Sequence, residues 1–365
     1  MAHAPLLLDW TSERLRAWSV QAGSTPRTVP LENSLPELPL VLSMAERRLQ
    51  LGQSAARLSR IQPQQVIDCF LPYVGQDRVW HYGRHHMDAR EVLGWVLGKI
   101  KEKLPSKAVF HVLPSYWQRE QAAILEDQTR QLGYRCLGSM KRGLALAGLS
   151  PGLIIDIDNF AASIIMTQVQ GRTGHLHLES IQTVTALALP IWKERIAAIV
   201  ATRCLRDSRR DPRAHAETDQ QLEEQLHSRL IDLASQSDIR LSLKQRDWND
   251  EVLLPHAEVH AVCAPLAMKL AELAIRKPEA ETWFLSPEAA RLPGLPQSLY
   301  AASNHQRSLS VLPAEVMPQA LTAWIMQIDQ GILSPPSWSE VLPVISPLST
   351  EAQPDTLPFA RRTRK

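Results

Sequence analysis

The chain has 365 residues, 44% of them hydrophobic, enough to bury a full core and long enough to favour two lobes over one compact unit. Forty Lys+Arg against 38 Asp+Glu leave a formal charge of +2, so no bulk field directs the molecule to nucleic acid or an anionic membrane, and neither is expected as a partner. Cys69, Cys136, Cys204 and Cys263 lack paired spacing, MAHAPLLLDW lacks the features of a signal peptide, and no stretch has the roughly 18 apolar residues of a membrane span, which together predict a cytoplasmic protein without zinc or disulfides.

In chain order, LLLD (6–9) and WTSERLRAWSV (10–20) predict a strand, a polar turn and a second strand. LPLVLSMAERRLQLGQSAA (38–56) predicts a strand running into a polar turn, and 57–86 is turn-rich, with His81, His85 and His86. In MDAREVLGWVLGKIKEKL, Val92, Leu93, Val96, Leu97 and Ile100 share one helical face, with Asp88 as N-cap and Pro105 closing the run. AVFHVLP (108–114) predicts a buried strand, followed by a helix from Gln118 to about Gly133. An apolar-and-turn segment (134–148) then leads to a strand hairpin, GLIIDIDNFAASIIMTQVQ (152–170).

Helices are predicted over 189–205, 217–238 and 256–277, the last interrupted or restarted near Pro265. Between them DIRLSLKQRDWNDEVLLP (238–255) alternates across an Asn-Asp turn, a hairpin signal. ETWFLS (281–286) is a short strand and VMPQALTAWIMQI (316–328) a closing helix. From Gly331 the chain becomes rich in proline and serine, and a disordered tail is expected over 331–365.

KAVFHVLPSYWQREQAAILEDQTRQLGYRC (107–136) is similar to the strand, Val-Pro-Ala-Tyr-Phe turn and Gln-Arg-bearing helix of the nucleotide-binding domain of DnaK-type (seventy-kilodalton heat-shock) chaperones. LLLDW resembles that family's opening strand, LIIDIDNFAASII its second phosphate hairpin, and SLSVLPAEVMPQALTAWI (308–325) its closing segment. In shared order and spacing the resemblance covers nearly all of 5–328, and too little chain follows for the family's substrate-binding half. It implies an α/β, two-lobed actin-like ATPase (ribonuclease H-like) fold, each lobe a mixed sheet flanked by helices. Lobe I takes 1–150, with an outer subdomain over 26–104, and the helix 313–330 returns to it. Lobe II takes 151–312, with an outer subdomain over 200–252.

The resemblance also implies ATP and Mg²⁺ as ligands. Asp9 and Asp156 fall where the family holds Mg²⁺ through water, and Thr11 and Asn159 fall in its two phosphate turns. Those turns work because glycine lets backbone N–H groups approach phosphate closely. Here the first reads Asp9, Trp10, Thr11, Ser12, Glu13, and the second runs from Asp156, Ile157, Asp158 and Asn159 to Ser163, with no glycine in either. The adenosine-side turn reads Pro287, Glu288, Ala289, Ala290, Arg291, and Pro287 has no N–H to offer. The family's catalytic lysine falls at Phe70 and its Asn-Glu-Pro glutamate near Ser139.

A like charge about 4 Å from phosphate costs roughly 4 kcal/mol at intermediate dielectric, so Asp158 and Glu13 oppose nucleotide unless they point away. Two functions follow. One is a non-catalytic, chaperone-related scaffold or regulatory module that binds a protein partner; the other is a divergent ATPase using Asp9 and Asp156. His81, His85 and His86, and separately His175 and His177, offer imidazoles to a metal, although no spacing completes a ligand set. Trp248, in a turn, and Trp338, in the tail, are exposed aromatic candidates for a partner contact.

Overall fold

The strand Leu6–Trp10 is apolar at nearly every position because both of its faces are covered. Leu6, Leu8 and Trp10 point into one core and Leu7 into another, the period-two alternation of a strand. Gly152–Ile157 repeats the arrangement, with Leu153, Ile155 and Ile157 on one side and Ile154 on the other. The computed structural model describes residues 4–343, apart from 46–48, 83–84, 105, 149, 171–174, 235–236, 246–247, 304–305 and 337. Over these residues the protein is a mixed α/β fold.

Each of those two strands is the centre of a sheet built to the same plan. Leu6–Trp10 pairs antiparallel with Arg14–Ser19 on one side and parallel with Ala108–Leu113 on the other, which in turn pairs parallel with Arg135–Lys141. Gly152–Ile157 pairs antiparallel with Ala162–Gln170 and parallel with Thr282–Leu285, which is followed by Ser308–Val311. A third core lies between the sheets. There Leu7, Phe110, Ile154 and Ile165 meet Met317, Trp324 and Ile325 of the helix Val316–Asp329.

Local chemistry sets the helices. Ala89–Lys101 begins in a capping box: Glu91 N–H donates to Asp88 Oδ1 at 2.7 Å and Asp88 N–H to Glu91 Oε2 at 2.9 Å. Its expected apolar face, Val92 to Ile100, is buried. Arg119–Gln131 follows as expected and is pinned to the first sheet through His111. Trp10 Nε1–H donates to His111 Nδ1 at 3.1 Å, so the ring proton is placed on Nε2, 3.2 Å from Thr129 Oγ1. Burial lowers the His111 pKa to about 3, which keeps the ring neutral. Among the described residues, no helix is long and apolar enough to cross a membrane.

Three local expectations are corrected. The hairpin pairs Gln245 with Trp248, so Asn249 and Asp250 lie inside the strand Trp248–Leu254 rather than at its turn, and Trp248 is a strand residue. His256–Ile275 is one continuous helix with Pro265 inside it. Pro265 sits on the exposed face, where solvent can satisfy the carbonyl its ring leaves unpaired. His81 and His86 face each other across the strands Val79–Tyr82 and His85–Asp88, and no group of three or more metal ligands forms among the described residues. The His85 side chain lies outside the description, as does Pro105.

The third correction concerns the tail. Val341–Pro343 adds an antiparallel edge strand to His175–Val184, and Leu342 is buried. Just before it, Ser339 N–H donates to the Ser139 carbonyl at 3.0 Å, beside the edge strand of the first sheet. Lys141 lies 5.4 Å from the Trp338 ring centroid. Gly138, at φ +121°, makes room for this crossing, since a Cβ there would lie 2.4 Å from the Pro336 carbonyl oxygen. The segment therefore straps the free edges of both sheets, and 344–365 lie outside the described residues. Ending the chain at residue 330 should cost about 2–3 kcal/mol from Leu342 burial alone and lower the Tm by a few degrees. Ending it at 343 should leave the Tm unchanged, and equal melting of the two truncated chains would contradict the strap.

Candidate functional site

In parallel α/β sheets the carboxyl ends of the strands face the ligand crevice. Here those ends converge from both sheets. Asp9 comes from Leu6–Trp10, Arg142 from the residue after Arg135–Lys141, Asp156 from Gly152–Ile157, and Glu288 from the turn after Thr282–Leu285. All four residues are at least nine-tenths buried.

Arg142 stands at the centre. Its Nε donates to Asp9 Oδ1 at 3.0 Å, Nη1 to both oxygens of Asp156 at 2.6 Å, and Nη2 to Glu288 Oε2 at 3.1 Å. Arg14 ion-pairs with Glu288 and, at 3.3 Å, with Glu37; its Nη1 lies 3.8 Å from Asp9 Oδ2. Arg16 reaches Glu288 at 3.3 Å and Glu37 at 2.7 Å. Three guanidinium groups thus face four carboxylates. Burial lowers the Arg142 pKa, but the fields of Asp156, Asp9 and Glu288 outweigh it and raise it well above the ordinary value. Burial likewise opposes the Glu288 charge, and Arg14, Arg142 and Arg16 overcome it, holding its pKa far below the usual glutamate value.

A second cluster lies beside the first. The Asp158 carboxylate accepts N–H bonds from Ser12 at 3.0 Å, Phe160 at 2.8 Å and Ala161 at 3.0 Å, and the Tyr116 hydroxyl at 3.1 Å. Phe160 N–H also reaches Ser12 Oγ at 3.0 Å, so the two turns bond directly to each other. Burial raises the Asp158 pKa against the pull of its three N–H donors. Further out, Arg60 N–H donates to Gln220 Oε1 at 2.9 Å and its guanidinium to Glu223 at 3.0 Å. Glu13 turns away from the cluster to His227, at 3.3 Å.

Of the residues singled out from sequence, Asp9 and Asp156 come together on Arg142. Thr11 closes its own turn, its hydroxyl bonded to the N–H and carbonyl of Arg14. Asn159 Oδ1 is buried without a hydrogen-bond partner. Trp10 and Phe70 are packed in the core beneath the first sheet, and Phe160 stacks on Tyr116 with ring centroids 4.8 Å apart. Ser139 Oγ donates to Glu126 at 2.6 Å. Arg142, Arg14 and Arg16 escaped the sequence reading, and Glu288 was placed there only in the adenosine-side turn, without its role as an ion-pair partner. The available signal was an arginine opening an otherwise apolar run, GLALAG, just after a buried strand.

These residues do not fit Mg–ATP. A guanidinium occupies the space between the two aspartates, a carboxylate consumes the turn N–H groups, and the residual cavity is about 10 Å³, room for about one water molecule. What the arrangement does chemically is join the two sheets through charge.

Removing one partner of a buried ionic cluster typically costs about 3–5 kcal/mol, because the remaining charges stay buried. Arg142→Ala should lose that much in urea unfolding, and a loss below about 1 kcal/mol would mean that the cluster does not hold the sheets. The depressed Glu288 and Glu37 pKa values give stability that is fully present above their ordinary 4.5 and lost as pH falls below it. Asp158, shifted upward by burial, works in the opposite sense above its ordinary value. Glu288→Gln should therefore be less stable at pH 6 yet lose less on acidification to pH 3, and parallel curves would exclude Glu288 as the acid-sensitive group.

No protein-family model matches the chain, and no curated protein matches its sequence.

Proposed function

We propose that this chain is a non-catalytic, protein-binding scaffold on a two-lobed, DnaK-like actin-ATPase fold, its cleft held shut by its own side chains in place of a nucleotide. The observation that carries this reading is the pair of internal substitutes. Arg142 stands as a cation between Asp9 and Asp156, the positions the resemblance assigns to Mg²⁺. Asp158 stands as an anion on the N–H groups of both turns, the positions assigned to phosphate. The twice-repeated sheet plan agrees with two lobes of one ancestry.

Phosphoryl transfer relies on positioning and on stabilising negative charge, and this site provides neither an open anion cradle nor a free carboxylate pair for a metal. A fixed, closed shape offers partners a constant surface. The protein partner engages that surface, as a nucleotide-independent counterpart of a switching chaperone domain.

Full-length protein melted with and without millimolar Mg–ATP tests the proposal. Ligand at 100 times its dissociation constant adds about 2.7 kcal/mol, which is readily seen. No shift is expected, nor any change in the radius of gyration by small-angle scattering. A clear shift that disappears in Asp156→Ala would replace the scaffold with a divergent ATPase.

A further inference from the structure

A larger cavity lies away from the cleft. It opens between one side of the helix Ala89–Lys101 and the short strands Glu37–Pro39 and Gln50–Leu51, and encloses about 160 Å³. Leu31, Leu38, Leu49, Leu51, Trp95 and Ile100 form its apolar wall, and Lys99 and Lys103 stand on its rim. The spacing of Trp95, Lys99 and Lys103 is four residues each, so the wall and both ammonium groups follow one side of the helix and its continuation.

The rim charges keep unused donors. Lys103 Nζ gives one hydrogen bond to the Leu31 carbonyl at 2.7 Å, and Lys99 Nζ lies 3.3 Å from Glu102, 5.7 Å from the Trp95 ring centroid. An ammonium group has three N–H donors, so both lysines can still bind anions. Glu102 pairs with Lys99, and the nearby Glu32 carboxylate is taken up by the Gln53 N–H.

We infer that this pocket docks an acidic segment of a partner protein that carries one phenylalanine- or leucine-sized side chain. Close-packed interiors leave little apolar volume unfilled. A comparable cavity of about 150 Å³, lined by aliphatic and aromatic groups, is known to take up benzene, which sets the size of the anchor. Small-molecule pockets usually enclose about 300–1,000 Å³ and bury most of the ligand. One ring fills this site, and the rest of its ligand must lie across the surface. That is the geometry of an anchor residue in a protein interface. Carboxylates flanking the anchor meet Lys99 and Lys103, which favours an acidic sequence over a neutral or basic one. The site names a class of partner for the scaffold, but it is independent of the ionic cluster, so either proposal can fail alone.

The test is fluorescence anisotropy with the full-length protein and a labelled peptide bearing a single phenylalanine among aspartates. Saturable binding is expected. It should weaken at least about tenfold when the peptide phenylalanine becomes alanine, and by a similar factor in the Lys99→Gln/Lys103→Gln protein, whose melting should fall by no more than a few degrees for the lost Glu102 ion pair and Leu31 hydrogen bond. Leu51→Trp, which fills the cavity, should do the same; if that variant does not fold, the lysine variant decides. Equal binding of the alanine peptide would reduce the site to a charge patch and overturn the proposal. So would tighter binding of 4-phenylbutyrate than of the peptide, which would assign the pocket to a free acid, or no saturation up to about 1 mM.

Discussion

The relative placement of the two sheets depends on one guanidinium group. Arg142 issues from the first sheet, and its hydrogen bonds end on Asp9 of that sheet and on Asp156 and Glu288 of the second. Because the group is buried, the Coulomb interactions are weakly screened and the penalty for breaking them is large. A planar fork of N–H donors also fixes direction, which a point charge would not. The ionic cluster therefore bridges the two sheets directionally, beside the apolar core around Phe110, Ile165 and Trp324 that also lies between them.

Around this centre the remaining contacts share a consistent sense. Asp158 ties the turn at Ser12 to the turn at Phe160, Arg60 and Gln220 join the outer segments, and the strap at Ser339–Pro343 joins the outer edges. Each link spans the same divide from a different side. All of these contacts are made by the chain's own side chains and backbone, so the two sheets are joined by groups that fold with the protein.

What was legible in the sequence was what local chemistry decides. The N-cap at Asp88, the apolar face from Val92 to Ile100, and the apolar strands around Leu7 and Ile154 were read correctly because each signal lies within a few residues. The errors mark competition. The polar pair Asn249 and Asp250 looked like a turn, but the alternation of Ile239, Leu241 and Leu243 opposite Val252 and Leu254 set the register that buries both strands. Pro265 looked like a break, but an exposed position and a strongly buried opposite face keep the helix continuous. The proline- and serine-rich composition concealed Val341–Pro343, where an unpaired sheet edge supplies the order that composition lacks. At the candidate site, Asp9, Asp156 and the turn holding Glu288 were named through the resemblance, whereas Arg142 has no local pattern. Their meaning exists only when residues 9, 142, 156 and 288 are brought together.

That separation bears on how the chain is made. Asp9, Arg14 and Arg16 leave the ribosome first, and the carboxylate that completes their pairing, Glu288, is translated 279 positions after Asp9. Until then the first sheet's arginines have Asp9 and Glu37 as counter-charges, one carboxylate short of the completed cluster, and burying them in that state is less favourable. At about 5–20 residues per second the wait lasts on the order of tens of seconds. The cluster is accordingly completed late in synthesis, when residues from nearly the whole length of the chain are present.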